Sequence, residues 1–459
     1  MKYAIVLAAG KGTRMKSSIN KVMHPIADKP LIGHLVDRLK KLNVDQIDVV
    51  VGYQQEQIRE YLKDSVRYSE QHEQKGTGHA LLHVDSLKDK KGKTIILYGD
   101  CPLVQTETME MMFKEGENSD LVVLSAKLEE PGVYGRIVRN SLGEIIRIVE
   151  FGDANQEQRR ISEINTGIYC VDNELLFKYL PQITNNNHSQ EYYLTDIVEL
   201  FTKNGHKVKS VRVDDINEVM GINDRKQLAK ADAWLKERIN NHWMTEGVTI
   251  VDPQNTYISE DCVIGQDTTI HPNVVIKGKT VVGTNTVITS NSWLENATIG
   301  DNTRIESSKI IDSRVDNNCT IGPFAHLRMN THVMDDNRLG NFVEFKNTIF
   351  HKNSRCAHLT YLGDCEVGED VNIGCGVVTV NYDGKNKYRT KINDGAFIGS
   401  NCNLIAPIVI GKNAVVAAGS TISKDVLDND MVIERAESIT KKEGGLKYKN
   451  KKKLEGDKK

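Results

Sequence analysis

The chain has no long hydrophobic run. None of the apolar stretches in its sequence reaches the roughly 18 residues a membrane-spanning helix needs. It also has no surplus of charge: 60 Lys and Arg stand against 62 Asp and Glu, a formal net charge of −2. A dedicated nucleic-acid binder would carry a basic excess. Proline is scarce, 9 in 459 residues, which excludes a Pro-rich linker protein, and aromatics make up only 6%. The eight cysteines (Cys101, Cys170, Cys262, Cys319, Cys356, Cys365, Cys375, Cys402) include no C-x-x-C pair and no Cys/His cluster at zinc spacing. In a chain of this length they are expected to be free thiols in a reducing cytosol. The apolar start, Met1–Leu7, is too short for the core of a secretory leader. We therefore expect a cytoplasmic protein with no stable membrane insertion and no nucleic-acid partner. What is present suffices for a sizeable core: 39% of residues are hydrophobic. At about one domain per 150 residues, the length predicts two or three domains.

The two halves follow different patterns. In residues 1–226, short apolar runs (Lys2–Leu7, Ile47–Val51, Thr94–Tyr98) alternate with helical spacing, as in Pro30–Leu42 with Leu31, Leu35 and Leu39. That alternation predicts an α/β, Rossmann-like domain: a mostly parallel sheet covered by helices on both faces. Ligands of such sheets sit beyond the C-terminal ends of the strands, where Ala8–Arg14 and Gly99–Asp100 fall. Leu228, Ala231, Leu235 and Ile239 then mark an amphipathic helix. Residues 227–247 read as a linker helix, or equally as the last helix of the first domain. From 248 to 459 the period becomes six. Ile258, Ile264, Ile270, Ile276, Val282 and Ile288 keep it without a break. After a slip it resumes at Val315, Ile321, Leu327, Val333, Leu339 and Phe345. It returns at Val367 and Ile373, and again at Ile392, Ile398, Leu404, Ile410, Val416 and Ile422. Such a run predicts a parallel β-helix of hexapeptide coils, left-handed against the usual crossover rule. The polar insertion Asn381–Lys391 breaks the frame as a projecting loop. From about 441 the chain is Lys-rich and is expected to be a flexible, solvated tail.

After the first strand comes Leu7-Ala8-Ala9-Gly10-Lys11-Gly12-Thr13-Arg14-Met15. Gly10 and Gly12 free backbone amides to approach phosphate oxygens, and Arg14 and Lys21 add cations. Met15 stands where a dinucleotide fingerprint needs its third glycine, and the Walker A pattern is absent. Neither a nicotinamide cofactor nor a P-loop ATPase is favoured.

With Lys21-Val22-Met23-His24, this segment resembles the sugar-nucleotide pyrophosphorylase signature. Gln71, Gly76-Thr77-Gly78-His79-Ala80, Leu97-Tyr98-Gly99-Asp100, Tyr134-Gly135-Arg136-Ile137, Ile148-Val149-Glu150, Glu163-Ile164-Asn165-Thr166-Gly167 and Gly221-Ile222-Asn223 follow in order. Together with the hexapeptide half, the chain resembles the bacterial bifunctional N-acetylglucosamine-1-phosphate uridyltransferase / glucosamine-1-phosphate acetyltransferase family over nearly its whole length. The resemblance implies that the N-terminal half transfers UMP from UTP to N-acetylglucosamine-1-phosphate and releases pyrophosphate. It implies Mg²⁺ held by Asp100 and Asn223, with Arg14 and Lys21 as the catalytic cations. Leu7, Ala8, Ala9, Gly10, Lys21, Gln71, Gly76, Thr77, Tyr98, Gly99 and Asp100 would surround the nucleotide. Gly135, Glu150, Asn165 and Asn223 would complete the substrate site.

In the second half, Asn341–Lys346, His358-Leu359-Thr360-Tyr361-Leu362-Gly363-Asp364, Val371–Gly374 and Asn381–Gly384 match the same family. The implied reaction is acetyl transfer from acetyl-CoA to glucosamine-1-phosphate. A sugar ammonium must lose a proton before it attacks, imidazole titrates near neutrality, and His358 is the candidate base. Arg328, Lys346 and Tyr361 would grip the sugar phosphate. Asn372, Asn381 and Tyr382 would bind the sugar, and Cys375, Ser400, Ala418 and Arg435 would contact the acyl donor. The resemblance also implies a homotrimer built through the β-helix, and a place in cell-wall precursor synthesis.

Three positions depart from the family pattern. Asn20 stands where proline is usual before the phosphate lysine, which puts the rigidity of that loop in question. Cys375 replaces a common alanine, and Arg355-Cys356-Ala357 is an unusual run before His358. Two other accounts remain open at this point. One is a single-activity sugar-1-phosphate nucleotidyltransferase with a regulatory or trimerising β-helix. The other is a structural solenoid carrying a degenerate enzyme domain.

Overall fold

The structure is a computed structural model in which residues 1–449 are described. The chain divides into two compact units, Met1–Ile239 and Asn240–Lys459. The division falls inside one 21-residue helix, Arg225–Thr245.

In the first unit, Lys2–Leu7 lies between Gln46–Val51 and Lys93–Tyr98, parallel to both. Alternate side chains feed two cores: Ala4 and Val6 join one cluster, Tyr3 and Ile5 the other. A strand buried on both faces needs a continuous apolar run, which is how Lys2–Leu7 reads. Leu35 and Leu39 of the helix Leu31–Lys41 pack into the first cluster. The sheet is not wholly parallel. Glu163–Asp172 runs antiparallel between Lys93–Tyr98 and Leu121–Lys127. Its reversed direction brings its first residues, Glu163–Gly167, to the edge where the neighbouring strands end.

The second unit is a parallel β-helix. Every aliphatic residue of the period-six series is buried. Successive coils pair in parallel register, as in Ile258↔Ile276 and Leu294↔Ile310. Each buried Val, Leu or Ile contributes about 1.5–3 kcal/mol relative to exposure, so the interior stack supplies the unit's main stabilisation. The slip in the sequence frame has a simple cause. Some steps are five residues rather than six, through Leu294, Ile299, Ile305, Ile310 and Val315, all buried. Further on, Cys356 and Thr379 take interior positions that an aliphatic pattern misses. Cys356 thus has a packing role, which accounts for the unusual Arg355–Ala357 run. Asn and Asp occupy many of the corners with positive φ, for example Asn285, Asn302, Asn318 and Asp336. Their short polar side chains tolerate that conformation best among non-glycine residues.

The polar insertion is an ordered loop. Tyr388 N–H donates to Asn381 O at 2.8 Å, and Tyr382 pairs with Lys387 across it. Of the Lys-rich tail, residues 444–449 form a helical turn, and residues 450–459 lie outside the described part. Among the described residues no helix is long and apolar enough to cross a membrane.

Candidate active sites

The first site lies at the strand ends of the first unit. Leu7, Ala8, Ala9, Gly10, Lys21, Gln71, Gly76, Thr77, Tyr98 and Asp100 line one cavity of about 250 Å³. Gln74 and Glu191 also line it, and neither stands in a motif that marks it in the sequence. Gly76 has a φ of 110°, and a Cβ there would stand 2.6 Å from the carbonyl oxygen of Tyr192. Only glycine fits. Gln71 is buried, with Nε2 3.1 Å from His79 Nδ1 and 3.3 Å from Gly76 O.

The Lys21 ammonium pairs with Asp100 Oδ2 and donates to Asn223 Oδ1 at 3.0 Å. Asp100 follows Tyr98 at the end of a strand, while Asn223 arrives from the far end of the unit. The backbone joins them: Ile222 N–H donates to Asp100 O at 2.8 Å. The result is one cationic point facing two hard oxygen atoms. Gly12, with a φ of 59°, comes so close to Lys21 that a Cβ would stand 2.6 Å from Lys21 Cβ. The loop before Lys21 is not slack, in spite of Asn20. That side chain is buried, accepts from Val22 N–H at 3.1 Å and donates to Tyr53 O at 2.8 Å, while its own N–H reaches Gln57 Oε1 at 2.8 Å. Three hydrogen bonds replace the stiffness a proline ring supplies. Arg14, by contrast, sits exposed on a short 3₁₀ turn and does not line the cavity.

Gly99, Gly135, Glu150, Asn165 and Asn223 also lie outside the cavity lining. Gly99 is tied to the first strand, donating to Leu7 O at 2.9 Å. The next three form a connected group. Asn165 N–H donates to Gly135 O at 2.9 Å, and a Cβ on Gly135 would lie 3.2 Å from Glu150 Oε2. Burial raises the Glu150 carboxyl above the usual range, and the neighbouring Asp196 and Asp153 carboxylates push it further. Asp196 is itself raised to about 6, again chiefly by burial. Tyr98 bridges this group and the cavity, since Thr77 hydrogen-bonds its hydroxyl and Glu150 lies close enough to raise its pKa.

The second unit carries a separate cluster. Arg328 and Lys346 are register partners on adjacent strands. Arg328 pairs with Glu344 through Nη2 at 2.7 Å and Nε at 2.9 Å. Lys346 faces Lys387 from the insertion, and this second ammonium, together with burial, lowers its pKa. The Tyr361 hydroxyl lies over Gly363, where a Cβ would stand 2.4 Å from it. Asn381 is buried and donates to Asp364 Oδ2 at 2.6 Å. Tyr382 is exposed and its hydroxyl is spent on Gly384 O at 2.6 Å. Asn372 sits elsewhere, on the rung between Arg355 and Phe397.

His358 lies opposite Asn341 on the next strand, with Nδ1 3.0 Å from Asn341 Oδ1. A donor on Nδ1 leaves the Nε2 lone pair free to take a proton. Asn341 stood in the sequence motif without a role, because only the register reveals its partner. The corner after His358 is a ladder. Leu359 O, Cys375 O and Ser400 O accept in turn from Gly376, Asn401 and Gly419, each on the next coil, at 2.8, 2.7 and 2.8 Å. Cys375 and Ser400 are therefore equivalent rungs leading away from His358. Ala418 occupies the next rung, and Arg435 Cδ lies 3.6 Å from a Cβ on Gly419. On the same side, Phe324 and Phe342 stack with centroids 5.4 Å apart and are 58% and 56% exposed. Leu359, 61% exposed, continues the row. All three have positive φ, a strained conformation for bulky residues.

Comparison with known proteins covers both units. Residues 4–163 match the MobA-like NTP transferase domain, and residues 261–296 and 389–424 match the bacterial transferase hexapeptide (six repeats). A bifunctional protein GlmU of Halalkalibacterium halodurans is 46% identical over 96% of this chain and 97% of its own length. The bifunctional protein GlmU of Geobacillus thermodenitrificans is 48% identical, over 96% of each chain. That of Bacillus subtilis is 46% identical, over 96% of this chain and 97% of its own. The chain therefore belongs to the GlmU family, and it is a bifunctional enzyme with uridyltransferase and acetyltransferase activities.

Proposed function

We propose that the first unit transfers UMP from UTP to N-acetylglucosamine-1-phosphate, and that the second acetylates glucosamine-1-phosphate from acetyl-CoA, so that one chain carries out two consecutive steps toward UDP-N-acetylglucosamine in the cytoplasm. The observation that carries this reading is the cationic point at the strand ends, where Lys21 meets Asp100 and Asn223 beside the Gly10 loop. In the first reaction a phosphate oxygen of the sugar attacks the α-phosphorus of UTP, and the bond from that phosphorus to the bridging oxygen breaks as pyrophosphate leaves. Such chemistry needs positioning and charge stabilisation more than covalent help. Lys21 supplies a cation beside the phosphates, and backbone N–H groups of the Gly10 loop approach their oxygens. Gln71, with the Gly76-Thr77 backbone, holds the uracil. Two oxygen donors already converge on a cation, which suits Mg²⁺: a hard ion that takes one or two protein oxygens and completes its shell with water and phosphate. Asp100 and Asn223 would hold it, and it would neutralise charge on the triphosphate. Arg14, exposed on its turn, reaches the nucleotide only if the loop closes over it.

Glu150 accepts from the sugar, and its raised pKa sets a pH dependence. A carboxyl raised by burial gains its proton earlier as pH falls, and the protonated form has lost acceptor capacity. The KM for N-acetylglucosamine-1-phosphate is expected to rise as the pH falls, at a higher pH than an ordinary glutamate would cause. Glu150→Gln should bind more weakly at pH 8 and show no such rise. Steady-state kinetics from pH 5.5 to 8.5 check this.

In the second reaction Arg328, Lys346 and Lys387 form an anion site for the sugar phosphate, and His358 takes the proton from the amine. The amine nitrogen then attacks the thioester carbonyl, the carbon–sulfur bond breaks, and coenzyme A, its sulfur taking up a proton, leaves along the Cys375–Ser400–Ala418 corner. The exposed Phe324–Phe342–Leu359 row beside His358 supports a homotrimer, in which another copy covers it. Light scattering at assay concentration should give three times the mass of the chain. A monomeric, fully active acetyltransferase would refute that assembly. The whole reading is tested by incubating purified protein with glucosamine-1-phosphate, acetyl-CoA and UTP. UDP-N-acetylglucosamine, pyrophosphate and free coenzyme A are the expected products. Pyrophosphate alone, formed only when N-acetylglucosamine-1-phosphate is supplied, would leave a single-activity nucleotidyltransferase.

A further inference from the structure

His24 is 1% exposed, yet it is not a core residue by chemistry. Its Nδ1 lies 3.2 Å from Nη1 of Arg225. A guanidinium only donates, so Nδ1 must accept, and the neutral ring carries its proton on Nε2. That Nε2 is buried and has no hydrogen-bond partner among the described residues. A buried donor left unpaired is a cost that a leucine or phenylalanine would not incur. The imidazole is therefore accounted for by what Nδ1 does.

What Nδ1 does is join two distant parts of the chain. His24 ends the 3₁₀ turn Lys21–Met23, donating to Lys21 O at 3.4 Å, and so belongs to the loop that carries Lys21. Arg225 opens the helix two residues after Asn223. A second tie lies beside the first: Ala27 N–H donates to Asp232 Oδ1 of the same helix at 2.7 Å. Ala27 and Asp28 have φ values of 40° and 73° and form the tip of a hairpin with two-residue strands, Pro25–Ile26 and Lys29–Pro30. A hairpin that short does not hold its shape alone. The helix in turn fixes Asn223, whose N–H donates to Gln227 Oε1 at 2.7 Å, while Asp224 caps its first turn.

We propose that His24, Arg225 and Asp232 are positioning residues of the uridyltransferase: they clamp the Lys21 loop to the helix that follows Asn223, and so set where the Lys21 ammonium stands relative to the Asp100–Asn223 oxygens and the nucleotide phosphates. The proposal rests on the assignment of Lys21, Asp100 and Asn223 to that reaction. Lysine carries its charge on a flexible stem, so its position depends on how firmly its backbone is held.

The test uses the full chain and four variants in two pairs. His24→Leu fills the space and removes the acceptor; His24→Asn puts an amide oxygen close to the place of Nδ1. Asp232→Ala removes the second tie; Asp232→Asn keeps its Oδ1 acceptor. A displacement near 1 Å in such a site costs on the order of 10²-fold, so His24→Leu is expected to lower uridyl-transfer kcat/KM by about 10- to 100-fold. UTP affinity by calorimetry should weaken with it, acetyl transfer, which belongs to the other unit, should stay at the parent rate, and a cooperative thermal melt checks folding of the first unit. Asn at position 24 should restore most of the loss. Asp232→Ala should fall several-fold and Asp232→Asn should not, a comparison that decides the matter if His24→Leu does not fold. Equal losses within each pair, or unchanged kcat and UTP affinity with only a lowered Tm, would overturn the clamp. Lys21→Ala separates the premises: if it transfers uridyl at the parent rate, the site assignment fails and the clamp with it. If it is dead while the clamp variants are unimpaired, only the clamp fails.

Discussion

Asp100→Ala is expected to abolish uridyl transfer while leaving acetyl transfer at its parent rate. Asp100 sits just past the strand Lys93–Tyr98, with one oxygen on the Lys21 ammonium and its backbone carbonyl held by Ile222 N–H. Removing the carboxylate leaves the cationic point with Asn223 Oδ1 alone, a neutral oxygen. Glu191, the other carboxylate of the cavity lining, is not the partner of Lys21. Loss of a single preorganised group facing developing charge costs about 10²–10³ in rate. Asp100 both fixes Lys21 and offers the charged oxygen for Mg²⁺, so at least the upper end of that range is expected. Asp100→Asn keeps the shape and loses the charge, and should be nearly as inactive. If shape were what mattered, it would work. A thermal melt read beside pyrophosphate release distinguishes a specific loss from misfolding of the first unit, and coenzyme A release shows that the second unit is intact. Undiminished uridyl transfer by Asp100→Ala would sink the assignment.

What the sequence disclosed, and what it withheld, divides along physical lines. Lys2–Leu7 announces itself because a strand buried on both faces must be apolar throughout. The solenoid announces itself because each coil repeats one interior demand. The frame slip near Leu294–Val315 was visible but unexplained, since a five-residue step satisfies the same interior as a six-residue one. Cys356 and Thr379 escaped because an interior position accepts any small, dry side chain. Partners far apart in the sequence were invisible. Nothing near His24 points to Arg225, and nothing in Asn341-Phe342-Val343 points to His358 until the strands are in register. The doubt over Asn20 had the same origin. A missing proline is legible, whereas the three hydrogen bonds that replace it come from residues over thirty positions away or from the fold of the turn. The placement of Arg14 differs for a related reason. The motif fixes its residue type, but an exposed cation takes its direction from a ligand.

His358→Ala is expected to lower acetyl transfer by about 10²- to 10⁴-fold, the usual contribution of a positioned base. Asn341 Oδ1 holds Nδ1 at 3.0 Å, so the ring leaves Nε2 free to take a proton. Uridyl transfer should be untouched, because Lys21, Asp100 and Asn223 all lie in the other unit. The KM for glucosamine-1-phosphate should change little, since Arg328, Lys346 and Lys387 remain; the loss belongs in kcat. Raising the pH should recover part of it, because more of the substrate amine then arrives already neutral and no longer needs the base. Asn341→Ala leaves the imidazole but frees its ring to turn, and should cost less, about tenfold, with the same unchanged KM. A bystander histidine makes the opposite set of predictions: a near-normal acetyl rate at every pH, and no effect of Asn341. That outcome would move the base to another residue, and the ladder of Leu359, Cys375 and Ser400 would have to be read as architecture alone.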